Sequence, residues 1–380
     1  MPYSFNGEKL KKARVYNGFT AVQLASLVGC TDRSIKMYES GKIKNPESEI
    51  LENLSNHLGF PKDYFFGENS TLKDTPTYFR SLLTTPKKYR DEQIERIEII
   101  ATLYSFISEY IEFEKPILPD IDEGTMPEDA AVRLRMLWGI DTKPIEHINF
   151  LVEQHGIVVT SFKMSTDKID AFSRSVDNMH LIGYTNSKDS AARIHFDVAH
   201  ELGHICLHSG LYEDMESLKE DRDEFKRIEN EAHDFASAFL LPKIPFITDV
   251  SKDPMNIEHY TWLKRKWKVS IAAMVRRAKN LDVISYEQYQ TMMRNMQRRA
   301  IRKQEPLDDV LTTSAPSLLI EAVTELLKEN VFTPKEFIDE LSYTYGLSLY
   351  PKMIEDLLNL PKGMLDVEDL KPRHRLRLLK

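Results

Sequence analysis

Cysteine is nearly absent from this sequence: Cys30 and Cys206 are the only two in 380 residues, and they lie in unrelated neighbourhoods. Two distant thiols make no disulfide framework, which suits a reducing compartment. Long apolar runs are missing as well; no stretch approaches the roughly 18 consecutive apolar residues that a bilayer-spanning helix requires. The opening segment Met1–Arg14 has neither an apolar core nor a small-residue cleavage site, so no secretory signal is expected. These absences exclude a disulfide-stapled secreted domain and a membrane protein. The expected location is the cytoplasm, with no membrane partner.

What remains is a soluble globular balance, 42% apolar and 29% charged residues, with length enough for two or three domains. The net charge of −8 argues against nucleic acid, but its distribution does not. Lys9–Lys44 holds eight Lys or Arg against Asp32 and Glu39, and Leu263–Lys303 holds twelve against Asp282 and Glu287. Phosphate binding follows the local potential, so either cluster is a candidate nucleic-acid surface. The plain reading of each is a solvated helix face.

Periodicity and punctuation divide the chain. Short helices fill residues 1–67, with Thr20 and Gln23 forming a capping box, Gly29 ending that helix and Thr31 capping the next. Residues 68–118 read as a linker and a long amphipathic helix near Arg90–Phe113. Residues 119–250 mix helices with short strands at Ile157–Thr160, Asp170–Ser173 and His180–Thr185. A basic helical region covers 251–310, including one helix expected over Tyr260–Lys279, and a small helical domain covers 311–380. The fold class expected is α+β, predominantly helical.

The chemistry is concentrated in His200-Glu201-Leu202-Gly203-His204. Two imidazoles at i and i+4 share one face of a helix and grip a single ion, and zinc accepts such a pair while keeping an open position. Glu201, about 100° round the helix, points toward that open position as a general base. His208 is about 12 Å along the axis from His200, too far to share the ion, and is expected to orient a neighbouring group. A third ligand is needed. On the following helix Ile228, Ala232, Phe235, Ala236 and Phe239 form the apolar stripe, and Glu229 and Glu231 both flank it. Spacing does not choose between them.

The segment Glu231-Ala232-His233-Asp234-Phe235-Ala236, followed by Leu240-Leu241-Pro242, resembles the ImmA/IrrE family of metallopeptidases, which pairs HELGH with Glu-Ala-x-x-Phe-Ala and a Leu-Leu-x-Pro segment. Ile169–Ser173 and Trp267–Ser270 extend the resemblance, which covers roughly residues 76–310. It implies a zincin-like peptidase domain, zinc as cofactor with manganese as the alternative ion, and Glu231 as the third ligand beside His200 and His204. His233 stands where the family usually carries Asn. An extended substrate would add as a strand to an exposed sheet edge, for which Asp170–Ser173 and His180–Thr185 are the candidates.

Residues 9–66 resemble the Cro/C1-type (XRE-type) helix-turn-helix in Phe19-Thr20, Leu24-Ala25, Val28-Gly29, Ser34-Ile35, Tyr38–Gly41, Pro46 and Leu58–Pro61. The resemblance implies that the second helix of the pair enters the major groove of duplex DNA, with Arg33, Ser34 and Lys36 as the contacting residues. Ala21 stands where the family usually has Gln, and Asp32 sets an acid near phosphate; both work against tight binding. Arg276, Arg277, Arg298 and Arg299 offer a second basic surface.

The expected function is a zinc-dependent, site-specific endopeptidase that cleaves a helix-turn-helix repressor and so derepresses mobile-element or stress-response genes. A homodimer is compatible with this. The alternative is a DNA-binding regulator or antitoxin-like protein whose peptidase site is silent or sensory.

Overall fold

The computed structural model describes residues 4–67, 77–79, 87–122, 124–162, 171–176, 179–185, 190–208, 222–302 and 304–366. Most of the Gly67–Pro76 linker and Asp170 of the Asp170–Ser173 strand lie outside the described residues. The fold is α+β and predominantly helical, with one small mixed sheet. It divides into two compact units.

One unit comprises Met1–Thr71, Glu98–Ile111 and Ile320–Lys380. Its N-terminal part runs α1 (Gly7–Tyr16), α2 (Ala21–Val28), α3 (Asp32–Glu39), α4 (Ser48–Leu58) and a 3-10 turn at Lys62–Phe66. Local chemistry sets these boundaries. Thr20 and Gln23 complete the expected capping box of α2, and Gly29 ends that helix at φ 78°. Thr31 then accepts from the Ser34 amide at the start of α3. Leu10, Leu24, Val28, Ile35, Leu54, Leu58 and Phe65 are buried together as the core. A side chain at Gly7 would strike the Tyr38 and Glu39 carbonyls, so only glycine lets α1 approach α3 this closely.

The C-terminal helices α14 (Leu318–Lys328), α15 (Pro334–Tyr345) and α16 (Pro351–Leu358) complete this unit. Phe106, from the end of α5 (Lys87–Ile107), is ringed by Phe332, Phe337 and Tyr345 at 5.8, 5.0 and 5.8 Å between centroids. Buried Lys9 donates to the Gly346 carbonyl and lies over the Tyr64 ring.

The other unit comprises Leu72–Ile97 and Glu112–Leu319. Its sheet has the order β1-β3-β4-β2, from β1 (Thr77–Phe79), β2 (Ile157–Phe162), β3 (Ala171–Val176) and β4 (Met179–Thr185). β3 is antiparallel to both its neighbours, while β4 and β2 run parallel. Phe172 faces Gly183 across the pair, where any side chain would overlap its ring. Both strands expected to offer a free edge are therefore interior: β3 lies between β1 and β4, and β4 lies between β3 and β2. The short β1, unforeseen from sequence, takes the edge beside β3.

Helices α6 (Pro127–Leu137), α7 (Ile148–Glu153), α8 (Ala191–Leu207) and α9 (Arg222–Leu240) complete the layer around the site. α8 lies on β3 and β4, and α9 packs between α8 and α6. Alternation along the strands puts Ile157, Val159, Ala171, Ile182 and Tyr184 into the core that receives Val198, Leu202, Phe235 and Phe239 from the helices. Buried Arg135 clamps the α6 end to the carbonyls of Asp141, Lys143 and Phe239.

Beyond α10 (Lys243–Val250), the helix expected over Tyr260–Lys279 is two: α11 (Ile257–Trp267) and α12 (Ile271–Asn280). Lys268 turns left-handed at φ 50°, and Ser270 caps the second helix through the Ala273 amide. Apolar periodicity continues across the break, so hydropathy alone missed it. α13 (Tyr286–Arg298) follows, and Glu305 then returns to accept from the Ile271 and Ala272 amides and from buried Lys264. Among the described residues, no helix is long and apolar enough to cross a membrane.

Candidate metal centre

The HELGH segment lies in the buried second half of α8, where His200, Glu201 and His204 are 1%, 0% and 0% exposed. The i and i+4 spacing brings the His200 and His204 Nε2 atoms to 3.1 Å from each other. The third member of the cluster is Glu229, whose Oε2 is 3.6 Å from His200 Nε2 and whose Oε1 is 3.4 Å from His204 Nε2. Ligands roughly 2.0–2.1 Å from a tetrahedral zinc ion stand roughly 3.3–3.4 Å apart, so these three atoms have the spacing of one face of such a site. Two nitrogen donors and one carboxylate are also the donor set that zinc accepts.

Electrostatics favour the same state. Burial pushes His204 well below the ordinary imidazole range, so it is neutral, the form that ligates metals. Burial pulls the Glu229 carboxyl upward, but hydrogen bonding and charge from His200 and His204 outweigh it and leave the group below the usual carboxylate range.

Glu231 is elsewhere, which corrects the assignment that the family resemblance implied. Its Oε2 is 3.0 Å from His208 Nε2, and its Oε1 accepts from Arg227 at 2.5 Å. Residues two apart on a helix project about 200° apart, so Glu229 and Glu231 cannot both face α8 at one point. What selects Glu229 is the close approach of the helices at Gly203, where a Cβ would lie 3.0 Å from Phe235 and 3.2 Å from the Ala232 carbonyl. Glu229 lies about 60° from Ala232 around α9, and Glu231 about 100° away on the other side.

Glu201 projects toward the sheet, where Ser173 of β3 donates to its Oε2 at 2.8 Å. Ser173 is wholly buried, and sequence reasoning gave it no role although it closes the Ile169–Ser173 segment already singled out. His208 stands at the end of α8 with its Nδ1 3.1 Å from His204 Nδ1. His233 is not one of the cluster's three donors; its ring lies edge-on to those of His200 and Phe196, and its Nε2 is 3.2 Å from Arg276.

Two family models match the chain. The model described as the IrrE N-terminal-like domain, of a peptidase family, matches residues 152–279, and a helix-turn-helix domain model matches residues 7–69. The chain joins an IrrE-like peptidase-family domain to an XRE-type helix-turn-helix domain. A curated relative of the second is the SPbeta prophage-derived uncharacterized HTH-type transcriptional regulator YonR of Bacillus subtilis (strain 168). It is 38% identical over 58 residues, 15% of this chain. The matched part spans 53% of that regulator.

In the XRE-type domain, the three residues expected to contact DNA lie on α3. Arg33 and Lys36 are exposed, while Ser34 is half-buried and its hydroxyl is engaged with Thr31. Lys36 pairs with Asp32 at 3.1 Å, but both side chains are about half exposed and such a pair is worth little, so it yields readily to phosphate. The second basic cluster is partly structural. Arg277 is buried and bidentate to Glu128 at 2.6 Å, and Lys264 is buried between Glu305 and Asp308. Arg277 therefore cannot meet nucleic acid as its sequence setting suggested, and Arg276 is engaged with His233.

Proposed function

We propose that the chain is a metal-dependent endopeptidase whose ligands are His200, His204 and Glu229, with Glu201 as general base. One observation carries this reading: the three donor atoms converge in the buried helix pair while Ser173 holds Glu201 beside them. When bound, the ion supplies Lewis acidity that polarises a peptide carbonyl and acidifies water. The Glu201 carboxylate takes the proton from the attacking water and passes it to the leaving amine. The Ser173 hydroxyl restrains the carboxylate, so that little ordering is left for the reaction itself.

Zinc is the preferred ion and manganese the alternative. The substrate is a cytoplasmic protein, for which a helix-turn-helix repressor is the leading candidate, cut to derepress mobile-element or stress-response genes. Arg33 and Lys36 on α3 would hold the peptidase on duplex DNA near its target and raise its effective concentration there. The full burial of Glu201 favours the second reading, a regulator with a silent or sensory metal site. The test is metal analysis together with proteomics of cells that express wild type or Glu201→Gln. Retained metal with loss of one specific cleavage supports the enzyme. Unchanged cellular proteins under inducing conditions support the sensor.

A further inference from the structure

We propose that β1 is a built-in competitor for the substrate's place, and that a peptide reaches the catalytic base by displacing Thr77–Phe79 from the side of β3. This deepens, and rests on, the reading of His200, His204, Glu229 and Glu201 as a peptidase site.

The base is tied to one strand. Ser173 of β3 holds Glu201, so a peptide brought to that carboxylate in extended form runs beside β3. β3 has two sides. One is taken by β4 over six residues, the other by β1 over three. Tyr78 is the β1 residue opposite Ser173, and facing residues of an antiparallel pair lie roughly 4.5–5.5 Å apart. The outer edges of the sheet are remote from the base. Strands are spaced roughly 4.7–4.9 Å apart, so a peptide added outside β1 lies about 10 Å from β3, and one added outside β2 about 14 Å. Only the places of β1 and β4 bring a backbone within one spacing of Ser173.

Of these two strands β1 is the one that can leave. β4 pairs six residues with β3 and six with β2, and its Leu181, Ile182 and Tyr184 are buried. β1 pairs three residues at the edge, and so short a ladder opens far more readily than the core does. Its tether brings it back. Thr77 follows Gly67, where the described part of the helix-turn-helix domain ends, by ten positions, and α5 begins eight positions after Phe79. A segment held in the chain on both sides returns at a roughly millimolar effective concentration. If it fills the place about nine-tenths of the time, the apparent affinity of any competing strand falls about tenfold. A dilute unfolded chain loses that contest. A protein that docks elsewhere on the peptidase offers its own segment at a comparable effective concentration and wins it, so β1 turns a sequence-tolerant mode of strand addition into a selective one.

The experiment uses the full chain and a fluorescein-labelled peptide of residues 74–82, with binding read by anisotropy. Successive amides of a strand point to opposite sides, so Tyr78→Pro together with Phe79→Pro removes a β1 donor to β3 whichever of the two faces it. The double variant should bind the peptide about tenfold tighter than wild type. Its Ala171–Val176 amides should also exchange with deuterium faster. On casein it should show a lower KM at unchanged kcat, with the unlabelled peptide as a competitive inhibitor. Peptide binding within twofold of wild type, or unchanged exchange in Ala171–Val176, overturns the proposal. If the double variant does not fold, the wild type decides: excess unlabelled peptide should speed exchange of the chain's own 77–79 amides, and no change overturns the proposal. Tighter peptide binding by the variant, with no Glu201-dependent cleavage of casein or of a cellular protein, overturns the peptidase reading and upholds the displacement of β1.

Discussion

Replacing Glu229 by Ala removes the carboxylate whose oxygens stand 3.6 and 3.4 Å from the Nε2 atoms of His200 and His204. The size of the loss can be bounded. A structural zinc ion held by four protein ligands is worth roughly 10–16 kcal/mol, an even share of roughly 2.5–4 kcal/mol per ligand. That is about 10²–10³ in affinity. The Glu229 side chain is 20% exposed, so water can enter the vacated place and the loss should fall toward 10². Glu231→Ala leaves all three donor atoms in place and removes only the anchor of His208, for which about tenfold is expected. The assay is zinc titration of each full-length variant against a competing chelator, with circular dichroism to show that the fold persists. A Glu231→Ala protein that loses more zinc affinity than Glu229→Ala would refute the geometric argument and restore the assignment that the family resemblance implied.

Four further outcomes are expected. Gly203→Ala places a methyl 3.0 Å from Phe235 and 3.2 Å from the Ala232 carbonyl, so α9 must give way; destabilisation of about 1–3 kcal/mol and weaker zinc binding should follow, and an unchanged melting temperature would count against the close contact. His195 is wholly buried against Thr313, and burial pushes it down to about 3, so below its ordinary 6.5 the unfolded chain binds a proton that the folded chain refuses. Its contribution is complete above about pH 6.5 and is lost as pH falls toward about 3, at most about 5 kcal/mol, so His195→Gln should flatten acid melting curves in that window. Arg33→Ala should cost about 1–3 kcal/mol on a cognate duplex if it reads a base, and a loss that is uniform across sequences would make it a phosphate contact instead. Substituting Thr77, Tyr78 and Phe79 together by Gly, Ser and Gly should raise cleavage of unfolded casein from near zero, because β1 occupies the side of the Ser173 strand where an extended peptide would pair; casein digestion by the wild type as fast as by the variant would remove that role from β1.

The legibility of the fold varied with the range of the interactions that set it. Helix starts in α2 and α3 were readable because the cap residues and the amides they satisfy lie within three positions of each other. The break at Lys268 was less so, since the Glu305 that stabilises the start of α12 comes 33 or 34 residues later. The edge position of β1 had no local signal, because three residues of strand carry no periodicity and their pairing partner lies nearly a hundred positions away. The basic stretch 263–303 looked like one surface, but burial divided it into salt-bridged supports and exposed charges.

By itself the sequence determined the relative placement of His200, Glu201 and His204, because a helix turns by a fixed angle per residue and HExxH needs nothing beyond one helix to set its geometry. It also determined the helix-turn-helix, whose caps, glycines and apolar stripe are all short-range features. Only the tertiary structure decided which carboxylate stands beside His200 and His204. Glu229 and Glu231 are equivalent on an isolated helix, and the choice between them depends on how closely and at what rotation α9 meets α8, which Gly203 and Ala232 set from nearly thirty positions apart. The same rotation that aims Glu229 at the cluster turns Glu231 toward His208. Tertiary packing likewise decided that Ser173 holds Glu201, since a strand and a helix nearly thirty residues apart had to be laid face to face before the hydrogen bond could exist.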